Sequence, residues 1–170
     1  TCYKNNVGKT FTPINKEGFA HTSGWWNSLV AGDFDNDGDT DYVAGNLGLN
    51  SRYKGNTKEP VCIYAADYDK NGSIDPVMTY YIQGVKYIVH SRDELISQIS
   101  AMRIRFKRYK DYSEATFEKS FLESELKSAF VICSEIFESS YLENLGEGKF
   151  ALSAMPMETQ FSPVYGMVVD

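Results

Sequence analysis

Nine consecutive residues, Asp33-Phe34-Asp35-Asn36-Asp37-Gly38-Asp39-Thr40-Asp41, set five carboxylates on alternate positions around one glycine. Left alone these charges repel one another, and no apolar face remains for a strand to bury. A hard cation removes the repulsion: calcium takes six to eight oxygen ligands and is wrapped by short loops with carboxylates at positions one, three and five. Asp33, Asp35, Asp37 and Asp41 are therefore read as side-chain ligands, and Asp39 as a ligand through its carbonyl. Gly38 falls at the sixth position, where a sharp turn suits a residue free to take φ > 0.

The pattern returns at an offset of 34 residues as Asp67-Tyr68-Asp69-Lys70-Asn71-Gly72-Ser73-Ile74-Asp75. Oxygen-bearing side chains again hold positions one, three, five and nine, with glycine at six, and two such copies are far more specific than one. Asp67, Asp69, Asn71, Ser73 and Asp75 are the matching candidates. An EF-hand needs a bidentate Glu at position twelve and flanking helices. Position twelve is Ala44 in the first loop and Met78 in the second, and the flanks read as strands. Two calcium ions are expected, which would bring the formal charge of −6 to about −2. Four carboxylate ligands in the first loop against three in the second predict tighter binding at the first.

Elements that must hold these loops follow from periodicity and turn residues. Residues 3–14 read as strand, tight turn at Asn6 to Gly8, and strand. Apolar strands are predicted at 25–31 and 41–45 around the first loop and at 60–66 leading into the second. Residues 77–82 and 85–89 form a hairpin closed at Gln83-Gly84. At Ser91 the character changes: Ser91 and Glu94 form a capping box, and Leu95, Ile99, Met102 and Phe106 line one helical face. Ser113 is expected to cap a short helix running to Glu118, and 123–127 to form another turn, so 91–128 reads as a helical insertion. Strands return at 129–136 and 137–143. Residues 141–150 echo 3–11, and 164–170 echo the strand at 25–32, so another blade is expected to begin there and stop short of a third acidic loop.

Composition bounds the rest. At 170 residues one sizeable core can form, and 12 Tyr with 10 Phe tilt the chain towards β structure. The acidic balance argues against a nucleic-acid binder, and no apolar run is long enough to span a membrane. Three cysteines, Cys2, Cys62 and Cys133, fit either one bridge or three buried thiols. The chain starts at Thr1 rather than Met, as expected of a mature product or an excised piece. The basic cluster Arg103, Arg105, Lys107, Arg108 and Lys110 reads as a solvated helix face with acidic neighbours, an anionic-polymer patch being the alternative. On a strand, Trp25 and Trp26 would face opposite sides, one in the core and one between blades or stacking on a sugar. His21 and His90 have no partners at catalytic spacing and read as structural.

The two Asp-x-(Asp/Asn)-x-(Asp/Asn)-Gly-x-x-Asp loops between strands resemble the FG-GAP and VCBS repeats of β-propellers, as in integrin α-subunit heads. The hairpin at Asn6 to Phe11 followed by residues 25–41 is similar to bacterial propellers of the ASPIC/UnbV-associated group. The helical stretch followed by Tyr141-Leu142-Glu143-Asn144-Leu145-Gly146 resembles an insertion in large VCBS-repeat proteins of Bacteroidetes-type bacteria. The Phe-Gly…Gly-Ala-Pro signature of the integrin repeats is missing.

The resemblance implies a mainly β fold of about two propeller blades with a helical insertion, calcium lying in the loop between adjacent strands of each four-stranded blade. Residues 1–90 would be blade with both calcium loops, 91–128 the insertion, and 129–170 the start of the next blade. The 34-residue interval is short for a whole blade, so both loops could share one. The resemblance further implies a secreted, cell-surface or periplasmic location and a structural, non-enzymatic scaffold. Its partner would be an unknown protein or glycan, and exposed sheet edges invite self-association. The competing implication is part of a calcium-dependent propeller enzyme acting on polysaccharides.

Overall fold

The computed structural model describes residues 2–14 and 18–169. Ten strands, all in antiparallel sheets, five short α-helices and one 3-10 helix (Met157–Gln160) occur among them. The chain divides into two units, Thr1–Arg52 with Ile136–Asp170, and Tyr53–Glu135.

The first unit opens with a hairpin of β1 (Cys2–Asn6) and β2 (Thr10–Ile14). Its main sheet runs β10-β9-β4-β3, from β3 (Ser28–Gly32), β4 (Asp41–Gly45), β9 (Ser140–Asn144) and β10 (Phe150–Ala154). Register is set by Val30 opposite Val43 and by Val43 opposite Tyr141. Two buried amides tie down the irregular chain beside this sheet. The Asn46 side chain donates to the carbonyls of Ile136 and Glu138. Gln160, 2% exposed, accepts from the Ser139 N–H at 2.9 Å and donates to the Ser139 and Met155 carbonyls. Backbone groups in a buried loop need such partners, because orphaned ones cost their full desolvation.

The second unit is a sheet of order β7-β6-β5-β8, from β5 (Val61–Ala66), β6 (Asp75–Ile82), β7 (Val85–Ile88) and β8 (Phe130–Ser134). Between β7 and β8 come α1 (Arg92–Gln98), α2 (Met102–Arg105), α3 (Tyr109–Ser113), α4 (Phe117–Ser120) and α5 (Glu123–Lys127). The expected capping box starts α1: the Glu94 N–H donates to Ser91 Oγ, and the Ser91 N–H to Glu94 Oε2. Leu95, Ile99, Met102 and Phe106 are all buried, in one cluster with Val77, Tyr68, Phe117 and Phe121. Lys86 extends its ammonium between the rings of Tyr64, Tyr81 and Phe117, each centroid within 5.5 Å. A disulfide joins Cys62 to Cys133 across the β5–β8 pair, choosing the bridge over the three-thiol alternative.

Several expectations are corrected. Residues 129–170 do not start another blade: β8 completes the second sheet, and β9 and β10 complete the first. The first sheet is thus assembled from two chain segments, with the whole second unit built between β4 and β9. That explains the short interval between the acidic loops, and each sheet carries one of them. Residues 163–169 form no strand, and Asp170 lies outside the described residues. Trp25 and Trp26 precede β3 rather than sharing it; Trp25 packs edge-on against Phe137, and Trp26 donates to the Thr22 carbonyl. Ser113 ends a helix instead of starting one, because the Asp111 carboxylate, accepting from the Arg108 N–H and guanidinium, caps α3 at Arg108, five residues earlier than expected.

Three hairpins turn alike. Val7-Gly8, Gln83-Gly84 and Glu147-Gly148 all carry positive φ at both central residues, the pattern whose twist matches that of the flanking strands.

Candidate metal centres

Each acidic loop joins two adjacent strands of its own sheet, β3 to β4 and β5 to β6. The two loops share one backbone conformation: Asn36 and Gly38 have φ of 62° and 94°, and Lys70 and Gly72 have 61° and 89°. Nothing would meet a Cβ at Gly38 or Gly72, so glycine is there for its dihedral and not for room.

Side chains hold the loops by matching bonds. Asp33 accepts from the N–H groups of Asp37 and Gly38, and Asp67 from those of Asn71 and Gly72, all at 2.9–3.1 Å. Asp37 accepts from the Asp39 N–H, and Asn71 from that of Ser73. The ninth residue reaches back in both: Asp41 accepts from the Phe34 N–H, and Asp75 from the Tyr68 N–H.

Two carboxylate clusters result among the described residues, Asp33 with Asp35 and Asp37, and Asp67 with Asp69 and Asp75. In each, one oxygen per residue lies within 4.8 Å of the others. The first cluster is exposed, and the second is half-buried around a buried Asp75. Asp39 and Asp41 do not join the first cluster. Asp41, fully buried, spends its carboxylate on the Tyr141 hydroxyl at 2.6 Å and the Asn144 N–H at 2.8 Å, which stitches the loop to β9. The structure therefore equalises the carboxylate count at three per cluster, where sequence counting favoured the first loop. Asn71 and Ser73 stay in the second loop as neutral oxygens, their N–H groups and the Asn71 amide occupied by loop bonds.

Electrostatics reflect the crowding. Desolvation raises the Asp35 and Asp39 carboxyls above the ordinary range, with added repulsion from the neighbouring aspartates. Asp75 is raised first by burial and then by Asp69 and Asp67, against the pull of the Tyr68 N–H. Asp41 moves the other way, lowered chiefly by the Tyr141 hydroxyl and then by the Asn144 N–H. Asp39 Oδ1 and Asp69 Oδ1 are buried with no hydrogen-bond partner. Orphaned anionic oxygens in an all-oxygen donor set fit a hard divalent cation, which would supply the missing counter-charge.

Tyr141, Asn144 and Ser100, whose bonds fix Asp41 and Asp69, escaped the sequence reading. They lie 100, 103 and 31 residues from the carboxylates they hold, and no local pattern marks such partners. Of the basic cluster, Arg105 pairs with Glu125, Arg108 with Asp111 and Lys110 with Glu114, as a solvated face would.

Comparison with protein families places the FG-GAP-like repeat model on residues 1–44, a stretch ending just past the first acidic loop. Comparison with curated proteins and with solved structures returned no match. The repeat suggests a β-propeller scaffold, and the two four-stranded antiparallel sheets agree with blades in strand number; no closed propeller is formed by the described residues. No described helix is long and apolar enough to cross a membrane.

Proposed function

We propose that this chain is a calcium-stabilised segment of a β-propeller that serves as a structural, protein- or glycan-binding scaffold in a secreted or cell-surface bacterial protein. The observation that carries the reading is the repeated strand, acidic loop, strand unit, with the same backbone conformation and the same internal bonds in two separate sheets. In each loop the calcium would supply positive charge to a cluster that otherwise repels itself. Asp33, Asp35 and Asp37 would hold the first ion, and Asp67, Asp69 and Asp75 the second, with the Asp39 carbonyl and Ser73 as further oxygen donors that the sequence pattern offers. The chain's own contribution is to fix the first Asp of each loop with two N–H donors, so the carboxylate is oriented before any ion arrives. Asp41 acts through Tyr141 and Asn144, keeping the first loop on its sheet. The Cys62–Cys133 bridge supports an oxidising compartment, since such bonds are rare in reducing ones. The closer kinship with VCBS-repeat and ASPIC/UnbV-associated proteins belongs to the same proposal.

Calorimetric titration with calcium chloride tests the reading. Two binding events are expected, and EDTA should lower the melting temperature; binding at 100-fold excess over Kd contributes about 2.7 kcal/mol per site. No heat of binding and an EDTA-insensitive melt sink the calcium reading. Turnover of an acidic polysaccharide by the full-length protein would overturn the non-enzymatic part.

A further inference from the structure

We propose that the helical segment caps the second acidic loop, with Ser100 as the positioning residue that couples cation binding there to the docking of α1 and α2. The inference rests on the calcium reading above. Ser100 sits in the joint between α1 and α2, and both its N–H and its hydroxyl donate to Asp69 Oδ2, at 3.3 and 3.2 Å. One carboxylate oxygen is thereby fixed, and the other is left buried and unpartnered beside Asp67 and Asp75.

Two more contacts link the same elements. Gln98, the last residue of α1, donates from Nε2 to the Pro76 carbonyl at 3.0 Å, one residue beyond Asp75. Tyr68, between the first two aspartates, is 8% exposed and packs on Phe121 within the cluster that holds Leu95, Ile99 and Met102. The first loop differs at each point. Phe34 is 38% exposed, and Asp35 takes its hydrogen bond from Asp37 of the same loop. Only the second loop shares its third ligand position with a helix joint.

A carboxylate held by two donors has already lost the freedom it would lose on binding an ion, so less of the binding energy is spent on ordering. Coupling of this kind is reciprocal: docked helices favour the cation by the same factor as the cation favours docked helices.

Hydrogen-exchange mass spectrometry of the full chain during calcium chloride titration reads both loops separately. Amides of residues 92–106 are expected to gain protection along the same titration curve as residues 67–75. Ser100→Ala should weaken the second-loop midpoint about tenfold, Ser100→Thr should recover most of it, and the curve at residues 33–41 should not move in either. Ser100 is exposed, so the change to Ala opens no cavity. The wild-type arm needs no variant. Calcium-dependent protection that stops at residue 75, or a Ser100→Ala midpoint within twofold of wild type, overturns the coupling and leaves the calcium reading standing. Absence of calcium-dependent protection at both loops removes that reading and the coupling with it.

Discussion

Reducing the Cys62–Cys133 bridge is the perturbation whose cost can be worked most directly. The two cysteines are 71 residues apart and enclose most of the second unit. Closing a loop of that length removes about 15 cal/mol/K of entropy from the unfolded chain, equivalent to about 4.4 kcal/mol at 25 °C. Domains of comparable size are stable by only about 5–12 kcal/mol. Reduction should therefore remove a large part of the unit's stability and lower its melting temperature by about 20–30 °C. All five α-helices lie between the cysteines, so ellipticity at 222 nm follows this unit. Melts with and without a phosphine reductant make the assay, and a Cys62→Ala/Cys133→Ala double variant should be insensitive to it. The ladder between β5 and β8 survives reduction, since Val61 to Ala65 pair with Ser134 to Phe130 through the backbone. A fall of less than about 5 °C, about 1 kcal/mol, would refute the loop-entropy reasoning and assign the β5–β8 pairing to those backbone bonds.

Other consequences are as direct. Gln160→Leu leaves the buried Ser139 N–H without its acceptor and takes a donor from the Met155 carbonyl, while the Ser139 carbonyl keeps the Met155 N–H, so it should cost about 1–3 kcal/mol in urea titrations followed by tryptophan fluorescence. Phe117→Ala removes a ring that is 1% exposed and packs on Tyr64 and Phe121; a loss of about 3–5 kcal/mol is expected from the 222 nm transition. Burial pushes the His90 imidazole below its ordinary 6.5, against the pull of Glu94. Folded His90 binds its proton more weakly than unfolded His90, so its contribution is complete above pH 6.5 and is lost as pH falls through the folded value. Urea midpoints should decline over that window in the wild type and decline less in His90→Gln. Asp67→Ala is expected to cost more calcium affinity than Asp33→Ala, because the second cluster is the more buried and holds the orphaned Asp69 oxygen. Equal losses would refute the burial argument, and the reverse order would return the ranking to the one that charge counting predicts.

Much of this was legible locally. Alternation of aspartates around glycine, strands bounding it and the X-Gly turns are short-range features, so loop conformation, hairpins and the Ser91 cap followed from residue type and spacing. The helical face from Leu95 to Phe106 was legible for the same reason, although the chain breaks it between α1 and α2. Blade boundaries were not legible. A strand such as β9 carries no mark of whether it pairs with the strand before it or with one met nearly a hundred residues earlier, and its actual partner is β4.

By itself the sequence determined that two acidic turns of one design punctuate a mainly β chain, because five alternating oxygen side chains around a glycine admit few other uses. Tertiary structure alone decided which of those oxygens remain free. Asp41 is drawn off by Tyr141 and Asn144, and Asp69 is shared with Ser100, while its second oxygen is left without a partner. Hydrogen bonds between residues far apart in the chain depend on how sheets and helices come together, and that is set by packing rather than by spacing.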